Sequence, residues 1–319
     1  MKTESTITTV TGDIVPSLLG ICDAHNHLWI KRLANTDSTV LVLEDYKKIK
    51  EEIRSFIDKG GRAIVDCQPG ECGRDGQVLY RLSKETGLFI IASTGFHLQR
   101  YYPNGHWLYQ ARTDYLTKYF IGEITRGLKE TINTDKPVRA GLIKIAIREH
   151  LNLTPQDLLE AACFACVDTD APLAIHIERE TEIEKALDFF SKRNIPANRV
   201  IICHADKQPN YEIHKNLAKA GVLLEYDTFF RNKYDPDNNL WPLLLKMLEN
   251  GFDGSVALAT DMADKKMWQQ FNGGPGLSAF ITIIIGKLKY LGVENQIINQ
   301  LIGKNIATRL AFTKDSLLV

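Results

Sequence analysis

His25-Asn26-His27 sets two imidazoles two residues apart. On a strand, side chains alternate with a period of two, so both rings face one side. Two neutral imidazoles aimed at one point make half a metal site. Ordinary core or surface histidines give the same pattern, so the pair needs company. Lys144 stands inside Ala140-Gly141-Leu142-Ile143-Lys144-Ile145-Ala146-Ile147, an apolar run where an ammonium is costly to desolvate. The residue makes sense there if its amine is neutral and used. Reaction with carbon dioxide would give a carbamate, an anionic oxygen ligand able to bridge two metals. A Schiff base or a salt bridge to a neighbouring strand would also account for it.

His176 ends the run Leu173-Ala174-Ile175, and His204 follows Val200-Ile201-Ile202-Cys203. Asp261 closes Ala257-Leu258-Ala259-Thr260. The steps from Lys144 to His176, His176 to His204 and His204 to Asp261 are 32, 28 and 57 residues, the last close to two further steps of 28. Unrelated histidines would not keep register with a strand period. Four His, one Asp and a bridging anion suit two divalent ions a few ångströms apart. Such a pair activates a shared water and polarises the bond under attack. Nitrogen and oxygen ligands without thiolate fit Zn²⁺, Mn²⁺, Co²⁺ or Fe²⁺.

The elements that must position these residues follow from the apolar runs. Strands are expected near 21–28, 62–68, 89–96, 140–147, 172–178, 200–206, 222–228 and 256–262. Their nearly continuous apolar character marks parallel strands covered on both faces. Helical patterns lie between them, including 44–59 and 154–168, the second opening with Thr154 as N-cap and Pro155 at the first helical position. Gly60-Gly61 and Gly221 sit where helices need a C-terminal stop. Eight such units predict an α/β fold, a (β/α)8 TIM barrel with a short N-terminal β extension. One metal-dependent hydrolase domain is expected over 1–319, with the extension in 1–20 and the barrel in 21–319. Residues 6–19 are expected to form a hairpin or cover, and the chain after 277 terminal helices. In this fold the C-terminal strand ends build the site, where His25, His27, Lys144, His176, His204 and Asp261 all fall.

Charge narrows the class of partner. Lys plus Arg and Asp plus Glu are 39 each, so net charge is zero. Nucleic-acid carpets and polybasic membrane anchors both need excess positive charge, so neither is expected. The polar first eleven residues do not read as a signal peptide. The apolar stretch 280–285 is far too short to span a bilayer. Six Cys in 319 residues is below disulfide-scaffold density, which points to the reducing cytosol. A small-molecule substrate and a cytoplasmic location are the expectations.

The chain resembles the amidohydrolase superfamily, and more closely its phosphotriesterase-like family, which includes parathion hydrolase. The resemblance runs through GDIVPSLLGICDAHNHL (12–28), GGRAIVDCQPGECGRD (60–75), STGFHLQRYYP (93–103), GLIKIA, LAIHIE, IICHADKQPN, EYDTFF, LATDM, GGPGLSAF and GKNIATRLAF (303–312). It implies that His25, His27 and Asp261 hold the more buried metal and His176 and His204 the exposed one. Lys144, carboxylated, and a hydroxide would bridge them, with Asp261 taking the proton of that nucleophile. Where relatives often carry an aromatic residue, commonly Tyr, this chain has His97, a candidate substrate donor. Where relatives often show an Arg pair after the last strand, Lys265 and Lys266 stand. With Arg231, Lys233 and Tyr234 they are expected to form a basic rim for an anionic group. Family relatives are frequently dimers, so a homodimer is expected.

The resemblance leaves several reactions open. Organophosphate triester hydrolysis, acyl-homoserine lactone hydrolysis and sugar-lactone hydrolysis all proceed through species that a metal pair stabilises. An acyl-homoserine lactonase needs a greasy channel, whereas the basic rim favours a small polar lactone, phosphorylated or not. A one-metal amidohydrolase of deaminase or peptidase type would not need Lys144. A catalytically dead ligand-binding barrel would have no reason to keep all six ligands in register.

Overall fold

The computed structural model describes residues 5–36 and 40–313. The first four residues of the expected extension and the last six of the expected barrel range therefore lie outside the described residues. A hairpin of β1 (Ile7–Thr9) and β2 (Gly12–Ile14) opens the chain. Eight parallel strands follow: β3 (Cys22–Asn26), β4 (Ala63–Asp66), β5 (Phe89–Gly95), β6 (Ala140–Ala146), β7 (Leu173–His176), β8 (Val200–Cys203), β9 (Leu223–Tyr226) and β10 (Val256–Leu258). Each pairs with the next in sequence. The last meets the first through Asp261 N–H on the His25 carbonyl at 2.9 Å and Thr260 N–H on Asp23 Oδ1 at 3.1 Å. This is the (β/α)8 barrel that the runs of Ile, Val and Ala call for, and each observed strand lies within its expected span.

Alternation decides what enters the barrel. On β6, Leu142 joins the inner cluster of small and branched side chains, while Ile143 and Ile145 pack outward under the helices. Lys144 therefore points inward and is fully buried. On β8, Ile201 and Cys203 face in, and Val200 and Ile202 face out. Strand β3 departs from this rule: its pairing with β4 slips between Asp23 and Asn26, so Ala24 and His25 both reach the interior.

The helices α1 (Tyr46–Asp58), α2 (Gly76–Thr86), α3 (Thr113–Thr125), α4 (Gln156–Thr169), α5 (Ile183–Ser191), α6 (Tyr211–Ala220) and α7 (Leu240–Glu249) wrap the sheet. Helix α1 buries Ile49, Ile53 and Phe56 on one stripe, and Asp45 caps its start by accepting from Lys48 N–H at 3.2 Å. Helix α4 starts later than expected. Pro155 takes the cap position without a side-chain bond, and Thr154, one residue too early, keeps its hydroxyl buried and unpartnered.

The hairpin closes the barrel floor, with Val10 N–H bonding the Ile90 carbonyl at 2.9 Å and Thr6 bridging Phe312. The last helical turns, with Ile306, Ala307 and Leu310, pack beneath the same end. Among the described residues, no helix is long and apolar enough to cross a membrane.

Candidate metal centre

The open end of the barrel gathers the six singled-out residues. His25 lies within β3 and His27 just past it; Lys144 lies on β6, and His176 ends β7. His204 and Asp261 follow β8 and β10 in left-handed backbone, at φ 58° and 45°. Such conformations are costly for residues with a side chain and persist where surrounding contacts impose them. His204 N–H is held by Asp227 Oδ2 at 3.1 Å, and Asp261 N–H by the His25 carbonyl.

Each imidazole has an acceptor on its outer nitrogen. His25 Nδ1 meets Glu225 Oε2 at 3.0 Å, His27 Nδ1 meets Gln68 Oε1 at 2.7 Å, and His204 Nδ1 meets Asp227 Oδ2 at 2.7 Å. His176 is turned the other way, with Nε2 on Glu178 Oε1 at 3.2 Å. An acceptor fixes the proton on that nitrogen and leaves a lone pair on the inner one. The inner atoms then converge. His25 Nε2 and His27 Nε2 lie 3.9 and 3.5 Å from Asp261 Oδ1, and His176 Nδ1 lies 2.9 Å from His204 Nε2.

Burial holds His25 and His204 well below the ordinary histidine range, with Lys144 and Lys207 as the next contributors. Burial, then Lys207, takes His176 down to about 4. These rings are neutral at pH 7, so His176 and His204 point two lone pairs at each other. That arrangement is repulsive until a cation shares them, which is how the donor set fits divalent metal ions. Buried carboxyls reinforce the demand for positive charge: burial raises Glu225 to about 7 and Asp23 to about 6.

Burial disfavours the Lys144 ammonium, while Cys203, Cys67 and Glu225 favour it, and the balance raises its pKa. Its Nζ lies 3.2 Å from His25 Nε2 and 3.3 Å from Cys203 Sγ. An ammonium there competes with a metal for the same lone pair. Gly95 makes the strand approach feasible: at φ +104°, a Cβ would lie 1.9 Å from the Lys144 carbonyl oxygen. Asp261 behaves oppositely. Burial disfavours its charge, but Arg231 and His27 outweigh that and hold the carboxyl well below its ordinary range. Arg231 Nη2 sits 2.5 Å from Asp261 Oδ2.

An open cavity of about 170 Å³ lies above these donors. Arg100, Lys207, Arg231, Lys233 and Tyr234 line it, as do Ile30, Val40 and Leu41. His97 also lines it; its Nδ1 accepts from Leu98 N–H at 2.7 Å, which leaves Nε2–H as a donor. Lys265 and Lys266, expected on the basic rim, do not line the cavity. After Asp261 the chain enters a short turn at Lys265–Met267, capped by Asp264, that leaves both lysines exposed. Arg100 and Lys207 take the places expected of them. Neither was singled out in the sequence, although each falls three residues past a strand-end histidine.

The Phosphotriesterase family profile matches residues 5–309. An uncharacterized protein of Mycoplasma pneumoniae is 31% identical, over 96% of this chain and 92% of its own. A phospho-furanose lactonase of Mycoplasmopsis synoviae is 29% identical, over 95% and 91% of the two chains. The crystal structure of a lactonase from Listeria monocytogenes matches with a TM-score of 0.86 at 25% identity, covering 97% of this chain and 100% of that one. Family members generally carry two metal ions, and this barrel offers the His and Asp groups to hold them. With its profile matched over nearly the whole length, the chain belongs to the phosphotriesterase family and is a hydrolase of ester or amide bonds.

Proposed function

We propose that the protein is a two-metal lactonase acting on a small polar lactone that carries a phosphate, of the sugar-phosphate kind. The carrying observation is the arc of Arg100, Lys207, Arg231 and Lys233 on the wall of the cavity above the converging donors. Four cations lining one cavity suit a dianion, and guanidinium groups match phosphate oxygens in pairs. Ile30, Val40 and Leu41, which also line the cavity, suit contact with one face of a ring. The relative named phospho-furanose lactonase supports the same substrate class.

His25, His27 and Asp261 would hold one ion and His176 and His204 the other. Zn²⁺ suits this donor set best, with Mn²⁺, Co²⁺ or Fe²⁺ as alternatives. Lys144 would offer oxygen donors to these ions as a carbamate: its ammonium loses one proton, the amine nitrogen bonds to the carbon of CO₂, and the adduct loses a second proton from nitrogen. Bound ions would supply an activated water and an electrophilic pull on the lactone carbonyl. The phosphate docks on the cationic arc and His97 Nε2–H donates to the substrate. Asp261 accepts a proton from the attacking water as the new C–O bond forms. It returns that proton to the ring oxygen as the old C–O bond breaks, giving a hydroxy acid.

Acid release can be followed with a pH indicator after reconstitution with Zn²⁺ or Mn²⁺ and bicarbonate. Phosphorylated sugar lactones are expected to give kcat/KM above about 10⁴ M⁻¹s⁻¹. The same rings without phosphate should be at least about tenfold poorer, since a phosphate bound by several cations is worth more than one such pair. Uniformly weak turnover of sugar lactones, acyl-homoserine lactones and paraoxon would overturn this substrate assignment.

A further inference from the structure

Glu178 lies two residues past His176 and touches two features that the chemistry treats separately. Its Oε1 accepts from His176 Nε2 at 3.2 Å, the contact that turns His176 Nδ1 inward, and lies 3.5 Å from Arg100 Nη2. Its Oε2 accepts from Lys207 Nζ at 3.3 Å. The main chain is pinned as well: Glu178 N–H donates to Thr181 Oγ1 at 2.8 Å, and Gln208 Nε2 donates to the Glu178 carbonyl at 3.2 Å. The other carboxylates that orient histidines, Glu225 and Asp227, are buried and do not line the cavity, whereas Glu178 is half-buried and lines it.

We infer that Glu178 is a positioning residue serving both sites, orienting His176 for metal with one oxygen and restraining the Lys207 and Arg100 cations with its charge. The second half of this role rests on the phosphorylated-substrate assignment; the first does not. In the resting state the carboxylate neutralises part of the arc and repels an incoming anion. It thereby sets how tightly phosphate is held, while fixing the ring beside it.

Two variants separate the roles. Glu178→Gln keeps an acceptor for His176 Nε2–H and removes the charge; Glu178→Ala removes both. Zn²⁺ affinity, measured by competition with a chromophoric chelator, is expected to fall 10- to 100-fold in Glu178→Ala. In Glu178→Gln it should stay within about threefold of wild type, because an acceptor remains. Inorganic phosphate, titrated calorimetrically into zinc-loaded protein, is expected to bind at least about threefold tighter to Glu178→Gln than to wild type. Zinc affinity of Glu178→Ala within twofold of wild type would overturn the positioning role. Unchanged phosphate affinity in Glu178→Gln would overturn the link to the arc, and this arm stands even if the alanine variant fails to fold. Wild type that binds no phosphate would instead remove the phosphorylated-substrate assignment, while the zinc comparison still decides the role at His176.

Discussion

At the scale of residues, the centre is organised by what stands behind each imidazole. Glu225 illustrates this: fully buried on β9, it takes His25 Nδ1–H and so turns Nε2 toward Asp261 and Lys144. Glu225→Leu is expected to weaken metal binding 10- to 100-fold, read by chelator competition; an unchanged affinity would show that the ring needs no such support. Lys144 stands out in the sequence because a cation inside an apolar run is costly to desolvate. Glu225 and Asp227 carry the same signal inside Val222-Leu223-Leu224-Glu225-Tyr226-Asp227, which histidine spacing does not reveal. Lys265 and Lys266 misled for a different reason. Nearness to Asp261 in sequence is not nearness in space when the backbone takes a left-handed turn at φ 45° and runs away from the cavity.

At the scale of elements, strands were legible and their irregularities were not. Runs of Ile, Val and Ala locate all eight barrel strands, because parallel strands are covered on both faces. The slip in β3 that brings His25 inward depends on pairing with β4, which no local pattern encodes. Gly95 shows how far tertiary contact governs a strand. Gly95→Ala would place a methyl 1.9 Å from the Lys144 carbonyl in a backbone region that side chains avoid. A loss of about 3 kcal/mol or more is expected in urea unfolding; a loss under about 1 kcal/mol would mean that β5 and β6 can part without cost.

Helix α6 carries a pH-dependent contribution. Its buried His214 accepts from Tyr226 OH at 2.6 Å and donates to the Gln208 carbonyl at 2.9 Å, and burial lowers it to about 4. A base with a lowered folded pKa contributes fully above its unfolded value of 6.5 and loses that contribution as pH falls toward 4. The stability gap between wild type and His214→Gln should therefore shrink by about 2 kcal/mol between pH 7.5 and 5. An equal gap at both pH values would place the His214 pKa near its ordinary range.

At the scale of the whole molecule, the barrel brings residues 25 to 261 of the sequence to one end, while the hairpin and the terminal helices seal the other. Catalysis and substrate recognition then differ in where they sit. The ligands lie on strands or immediately past them, whose positions the sheet dictates. The cationic arc lies on loops, whose paths depend on tertiary contacts such as Lys207 Nζ with the Ile177 carbonyl at 3.0 Å. This explains why the gathering of the six residues at one end could be read from spacing and the composition of the arc only in part.

The central claim is that six strand-end residues form one centre for two ions, joined through Lys144. The most direct measurement is metal content per chain after reconstitution with Zn²⁺ and bicarbonate, for wild type and for Lys144→Ala. Two ions per wild-type chain are expected, with loss of bound metal and of lactone hydrolysis in the variant. One ion per chain in both proteins, with the variant still active, would contradict a bridged pair and leave a one-metal hydrolase in its place.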